Sequence, residues 1–256
     1  MPTTETVDRL QVRVYPNREA MGAAAAQDVA ARLRARLANQ AVVRAIFASA
    51  PSQNELLAGL AAAEGIDWSR VHAFHMDEYL GLPPGSSATF GTYLREHLFD
   101  LVQPGEVHLL DGSASPDAEC RRYAALLAAA PIDLVCLGIG ENGHLAFNDP
   151  PVARFDDPDL VREVEIATAS RQQQVHDGTF GSLDEVPRRA ITLTIPALVS
   201  AAHLFCVVPG RLKRAAASCT LRGAITPDCP ASILRRHQDA TLYLDLEAYP
   251  ASESAA

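Results

Sequence analysis

Four polar side chains crowd one short segment: Asn142, His144, Asn148 and Asp149 in PIDLVCLGIGENGHLAFNDPP, residues 131–151. An imidazole with a carboxylate and amides nearby can move a proton and hold the ring that moves it. The run before them, Ile132 and Leu134 to Leu137, is broken only by Asp133 and reads as a strand buried on both faces. Gly138, Gly140 and Gly143 follow, where a backbone can turn sharply or approach a ligand closely. Pro150 and Pro151 close the segment. Strand, glycine turn and polar cluster describe the carboxyl end of a sheet strand, where open α/β folds place their ligands.

Gly138 to Gly143 also satisfies G-x-G-x-x-G, the dinucleotide fingerprint. That fingerprint needs a helix whose N-terminus holds the pyrophosphate, and Asn148 to Pro151 interrupts any such helix within two turns. No nicotinamide or flavin is expected.

Two further places could carry chemistry. Asp77 and Glu78 are adjacent at the end of a strand candidate, Val71 to Met76. Neighbours on extended chain point to opposite sides, so one carboxylate at most should face a given pocket; a solvated acidic loop would use the same residues. Of 22 basic residues, Lys213 is the only lysine. An ammonium is a compact point charge, and a planar guanidinium does not replace it in a tight site. It follows Pro209-Gly210 in what reads as the first turn of a helix, where a cation opposes the dipole unless an anion is bound.

The elements that must position these residues alternate. Strands are expected at 11–15, 41–47, 71–76, 107–110, 132–137, 161–166, 190–195, 203–208 and 241–246. Helices are expected at 18–37, 55–63, 89–99 and 116–129 and from about Arg211, with Met21, Val29, Leu33 and Leu37 at helical spacing in the first. A small-residue loop, Ala48 to Asn54, joins a strand to a helix; it would hold a phosphate on backbone N–H groups and hydroxyls, or serve equally as an ordinary N-cap. A turn at 81–85, a loop or lid at 152–159 and a frayed tail at 251–254 complete the chain. The pattern implies a three-layer αβα sandwich with a largely parallel, Rossmann-like sheet, in one domain over 1–256 with its structured core at about 11–246.

Composition narrows the partners. A net charge of −9 argues against nucleic acid and anionic lipid. No apolar stretch has the length of a membrane span, and Thr3-Thr4-Glu5 lacks the basic start of a signal peptide. Five cysteines, Cys120, Cys136, Cys206, Cys219 and Cys229, form no C-x-x-C pair and are read as buried free thiols of a cytoplasmic protein.

Three segments together resemble one family. Phe74 to Tyr79 (FHMDEY) followed by LGLP, GHLAFNDP at 143–150, and VVPGRLK at 207–213 are similar to glucosamine-6-phosphate deaminases, relatives of 6-phosphogluconolactonases. The similarity runs from about residue 11 to 246. It implies isomerisation of glucosamine 6-phosphate with loss of ammonia, giving fructose 6-phosphate, without metal or organic cofactor. By match, Asp77 would carry the proton from C2 to C1, and His144 would open the sugar ring. Asp149 stands where the family usually has glutamate, and Asn142 where many members have aspartate, which removes a negative charge beside His144. Ser49, Ala50, Ser52, Gly140, Arg171 and Lys213 match the substrate- and phosphate-binding positions, although Ala50-Pro51 replaces a Gly-Gly or similar pair. PVARFDDPDL after Asp149 does not match the allosteric acetylglucosamine-6-phosphate site of hexameric members, so that regulation is not expected. A small sugar phosphate is the expected partner, and a homo-oligomer is left open. A related amino-sugar phosphate, a lactone substrate and a non-catalytic sugar-phosphate sensor are the alternatives.

Overall fold

The computed structural model describes residues 3–83, 85–150 and 152–250. The second proline of the closing pair (Pro151), Pro84 of the turn at 81–85, and the tail at 251–254 lie outside the described residues. Eleven strands occur in chain order: β1 (Thr3–Val7), β2 (Leu10–Tyr15), β3 (Val43–Phe47), β4 (Val71–His75), β5 (Asp77–Tyr79), β6 (Glu106–His108), β7 (Leu134–Leu137), β8 (Val161–Glu165), β9 (Arg189–Leu193), β10 (His203–Val208) and β11 (Ala240–Asp245). The helices are α1 (Arg18–Leu37), α2 (Asn54–Ala61), α3 (Phe90–Leu94), α4 (Asp100–Val102), α5 (Pro116–Ala128), α6 (Thr168–His176), α7 (Ile195–Val199) and α8 (Arg214–Arg222). A π turn at Arg95–Phe99 joins α3 to α4.

Eight strands form the main sheet in the order β1-β2-β11-β10-β7-β3-β4-β6. Every neighbouring pair is parallel except β1 with β2. β7, the expected central strand, sits between β10 and β3 and is buried throughout. Its side chains alternate between two cores. Leu134 and Cys136 pack with Val29 and Leu33 of α1 and Leu56 and Leu60 of α2. Val135 and Leu137 pack with Tyr123 of α5, Leu198 of α7 and Ala217 of α8. Helices therefore cover both faces, as a parallel sheet requires, and each large side chain buried this way contributes about 1.5–3 kcal/mol.

The expectation of strands feeding one sheet needs correcting. β5, β9 and β8 form a separate three-stranded antiparallel sheet, with Asp77 opposite Thr192 and Val161 opposite Leu193. Strand propensity at 161–166 and 190–195 was legible, but β-branched content does not say which sheet a strand joins. This small sheet has its own core of Tyr79, Phe90, Phe147, Val164 and Ala190. It packs against the segment that follows β7 through two contacts: Thr192 Oγ1 accepts from Phe147 N (3.1 Å), and the Asn148 amide donates to Leu193 O (2.8 Å). The antiparallel edge strand β1, helix α7 and a 3₁₀ turn at Pro230–Arg236 were not anticipated either. The thiols of Cys136, Cys206 and Cys229 are buried as expected, Cys120 is half-buried, and Cys219 is exposed.

Candidate active site

The carboxyl ends of β3, β4, β7 and β10 open onto a cleft of about 490 Å³. Ser49, Ala50 and Ser52 enter it after β3, Asp77 after β4, Gly140 and His144 after β7, and Lys213 after β10. Seven of the ten residues expected from the sequence are thus brought to one space. Asn142 and Asp149 stand one layer behind, against His144. Arg171 does not reach the cleft.

The chain from Gly138 to Asn148 runs as turns with no helix, so the G-x-G-x-x-G match lacks the helix N-terminus its phosphate-binding role needs. Its second glycine has a different use. A Cβ on Gly140 would lie 2.0 Å from Cε1 of His144 and 2.2 Å from each ring nitrogen. The imidazole lies flat on that bare backbone. Gly143 turns at φ +86°, and Ala146 is held at φ +49°, a left-handed conformation that disfavours a side chain by about 1 kcal/mol. The Asn148 amide, which also donates to Leu145 O (2.9 Å), ties this turn down from within.

The far side of the His144 ring is crowded with acceptors. Asn142 Oδ1 is 2.7 Å from Nδ1, Ser170 Oγ 2.8 Å and Asp149 Oδ1 3.1 Å. The Asn142 amide nitrogen donates to Asp149 Oδ1 (2.8 Å), and the Ser170 hydroxyl donates to the same oxygen. Three acceptors around Nδ1 keep the proton there, leaving Nε2 as the ring nitrogen for the cleft. Burial pushes the Asp149 carboxyl up, but the hydrogen bond and charge of His144, with the bonds from Asn142 and Ser170, outweigh it and hold Asp149 below the usual carboxylate range. Asparagine at position 142 thus still grips the ring and links it to the carboxylate.

Asp77 and Glu78 face opposite ways, and neither is a solvated loop residue: they are 8% and 3% exposed. Asp77 is the first residue of β5 and lines the cleft. Burial, then the charge of Glu78, pushes its carboxyl well above the ordinary range. Glu78 points the other way, accepting from the amides of Tyr79 (2.9 Å), Phe90 (3.2 Å) and Gly91 (2.9 Å), and fixes the start of α3.

The loop after β3 is built without glycine. Ala50 has φ −164°, extended backbone that any residue adopts, so replacing a glycine pair there does not strain the chain. Pro51 opens a 3₁₀ turn at its first position, where a missing N–H breaks no helical bond. The Ala50 carbonyl accepts from Gln53 N (2.8 Å) and from the Tyr93 hydroxyl (2.9 Å). Among the described residues, the N–H groups of Ser49 and Ala50 donate to no protein acceptor, leaving them for an anion.

Lys213 closes the 3₁₀ turn Arg211–Lys213 ahead of α8 and is 8% exposed. Gly210, at φ +89°, makes the turn, and both oxygens of Asp245 accept its N–H at 3.0 Å. Among the described residues no carboxylate lies within 4.0 Å of the ammonium. Burial lowers its pKa, with the charges of Asp177 and Glu141 opposing.

Arg171 is corrected by geometry. Its guanidinium donates to the carbonyls of Leu183 and Val186 (2.9 Å to the latter) and ties down the loop before β9. Ser170, Gln173 and Gln174 stand at i, i+3 and i+4 on α6 and share the face toward the site; Arg171 is one step off it. Gln173 and Gln174 line the cleft, and Ser170 is 1% exposed behind His144. These three were missed, although the helical period of 168–176 carried the signal.

A family model described as glucosamine-6-phosphate isomerases/6-phosphogluconolactonase matches residues 16–243. The glucosamine-6-phosphate deaminase of Bacillus thuringiensis (strain Al Hakam) is 37% identical over 184 residues, 72% of this chain and 68% of that one. The glucosamine-6-phosphate deaminase of Bacillus anthracis (strain A0248) matches with the same figures. Among solved structures, a monomeric glucosamine-6-phosphate deaminase superposes with a TM-score of 0.85 at 27% identity, covering 93% of this chain and 98% of that one. The 6-phosphogluconolactonase of Thermotoga maritima shares the fold, with a TM-score of 0.73 at 20% identity over 94% of this chain and 100% of the other.

Proposed function

The chain belongs to the glucosamine-6-phosphate isomerase/6-phosphogluconolactonase family, and from that premise we propose that it converts glucosamine 6-phosphate and water to fructose 6-phosphate and ammonia. The observation that carries this reading is a buried carboxylate, Asp77, in the same cleft as His144 and Lys213. Lactone hydrolysis breaks no carbon–hydrogen bond and needs a base only for water; an aldose–ketose isomerisation must move a proton between C2 and C1, which a single carboxylate can carry.

The phosphate is held by the Lys213 ammonium and the amides of Ser49 and Ala50, with Ser52, Gln173 and Gln174 around it. With Arg171 turned away, this site recognises phosphate through one cation, amides and dipoles instead of a guanidinium fork. His144 shuttles a proton through Nε2 between the anomeric hydroxyl and the ring oxygen, opening the ring, while Asn142, Ser170 and Asp149 hold the imidazole. Asp77 then takes the C2 proton while the substrate ammonium passes one of its protons to O1, giving a neutral enolamine, and returns its proton to C1, giving the protonated ketimine. Water adds to the C2–nitrogen double bond, and ammonia leaves. Burial and the charge of Glu78 raise the Asp77 carboxyl above the ordinary range; the charged amine of the substrate, arriving beside it, shifts it back toward the carboxylate that the reaction needs.

Residues 1–256 act in this reading as one cytoplasmic unit around a core of about 11–246. The net charge of −9 argues against nucleic acid. Among the described residues no helix is long and apolar enough to cross a membrane. The test is ammonia release from a panel of glucosamine 6-phosphate, galactosamine 6-phosphate and 6-phosphogluconolactone. Ammonia from the first supports the assignment. Lactone hydrolysis without ammonia from either hexosamine phosphate overturns it.

A further inference from the structure

At the end of the sheet opposite the cleft, β4 and β6 place three metal-ligating side chains together. The strands run parallel with His72 opposite Glu106 and Phe74 opposite His108, so His72, Glu106 and His108 share one face. Nδ1 of His72 is 3.5 Å from Glu106 Oε2, and Nε2 of His108 is 2.9 Å from the same oxygen. One ligand atom from each of the three lies within 4.8 Å of the others. Ligands held at 2.0–2.2 Å on a tetrahedral ion stand about 3.3 Å apart, so these gaps fit a shared ion with little movement. Among the described residues no other group of three histidine, cysteine, aspartate or glutamate side chains converges in this way.

We propose that His72, Glu106 and His108 form a binding site for a first-row divalent cation, zinc(II) foremost, with the fourth position open to water. Two imidazoles and one carboxylate are a donor set that zinc accepts. The His108 ring packs against Phe74 with centroids 4.5 Å apart, and its carbonyl accepts from the Tyr123 hydroxyl (2.9 Å), which fixes the ligand before any ion arrives. Arg44 lines one surface cavity with His72, Glu106 and His108, but its guanidinium is turned to the carbonyls of Leu126 and Leu127 and lies over Phe74. Its charge weakens the site without occupying it. β6 is the edge strand of the main sheet, and an ion bridging it to β4 would staple that edge.

The test is calorimetric titration of chelator-stripped full-length protein with zinc chloride alone, paired with thermal melts. One-site binding that saturates near one equivalent and raises Tm is expected. Glu106→Gln and His108→Ala should each weaken it by more than about tenfold. Glu106 is half-exposed, so its variant keeps the fold, and the melt of metal-free protein checks this for both. Cys219→Ser should bind as the parent does, and ammonia release should be unchanged by zinc binding at this site. Absence of saturable binding overturns the proposal. So does binding that survives both Glu106→Gln and His108→Ala, since the ion would then sit elsewhere.

Discussion

The Ser170 hydroxyl lies 2.8 Å from Nδ1 of His144 and donates to Asp149, bridging an imidazole and a carboxylate that also meet directly at 3.1 Å. Position 142 is an amide, so of the described groups that meet Nδ1, Asn142, Ser170 and Asp149, the last alone carries a formal negative charge. Ser170→Ala should remove one hydrogen bond from each partner and leave a buried acceptor less satisfied, a loss of about 1–3 kcal/mol. We expect kcat to fall on the order of tenfold to a hundredfold with KM little changed, and Ser170→Thr, which keeps the hydroxyl, to recover much of it. A merely structural serine would give a lower Tm with no selective loss of kcat and no rescue by threonine.

The Asp77 carboxyl is pushed well above the ordinary range, first by burial and then by Glu78. The sign follows from linkage. A raised folded value means that the folded state holds this proton more tightly than the unfolded chain does. The destabilisation is absent below the unfolded pKa of about 3.9 and grows as pH rises toward the folded value. Asp77→Asn should therefore abolish turnover and raise the Tm of the ligand-free protein at neutral pH, with the gain vanishing near pH 4. The parent enzyme's kcat/KM should fall on the acid side at a pH above that of an exposed carboxylate. Turnover in heavy water should place some deuterium at C1 of the product. Efficient turnover by Asp77→Asn would remove the carboxylate from the mechanism.

Regular periodicity made much of the fold legible. Asn17 caps α1 by accepting from Ala20 N (2.9 Å), and that helix and β10 fall where apolar spacing and β-branched content put them. Pairing was not legible: nothing local to Asp77–Tyr79 or Arg189–Leu193 tells an antiparallel partner from a parallel one. Lys213 stood out because the chain otherwise uses arginine. Arg171 misled because a motif gives a position along a helix, whereas its rotation decides which of Ser170, Arg171 and Gln174 meets the site. Gly140 was rightly read as a place of close approach, but what approaches is the chain's own His144.

Arg171 and Lys213 should now separate cleanly. Lys213→Met should raise KM for the phosphorylated sugar by the equivalent of about 2–4 kcal/mol, as removal of one member of a desolvated charge pair does. The Tm of the ligand-free protein should hold or rise, because the ammonium is buried without an ion pair within 4.0 Å among the described residues. Arg171→Ala should do the reverse: a lower Tm from the carbonyls it abandons, and inhibition by inorganic phosphate as in the parent. Steady-state kinetics with a phosphate-inhibition series and thermal melts of both variants make the comparison. Loss of phosphate inhibition in a folded Arg171→Ala protein would return that arginine to the anion site.

Gly140→Ala tests whether the bare backbone under His144 is what seats the ring. The added methyl would need to stand 2.0 Å from Cε1, so the imidazole must tilt or slide away from Asn142 and Ser170. A displacement near 1 Å in a proton-transfer group lowers rate by about a hundredfold, and kcat should fall at least that far while inorganic phosphate still inhibits as in the parent. The decisive comparison is a double-mutant cycle. If the methyl acts only through the ring, Gly140→Ala should change nothing further in a His144→Ala background, because the ring it would strike is gone. Additive losses in that cycle would show that Gly140 serves the substrate directly. Turnover by Gly140→Ala near that of the parent would show that the ring need not rest there at all.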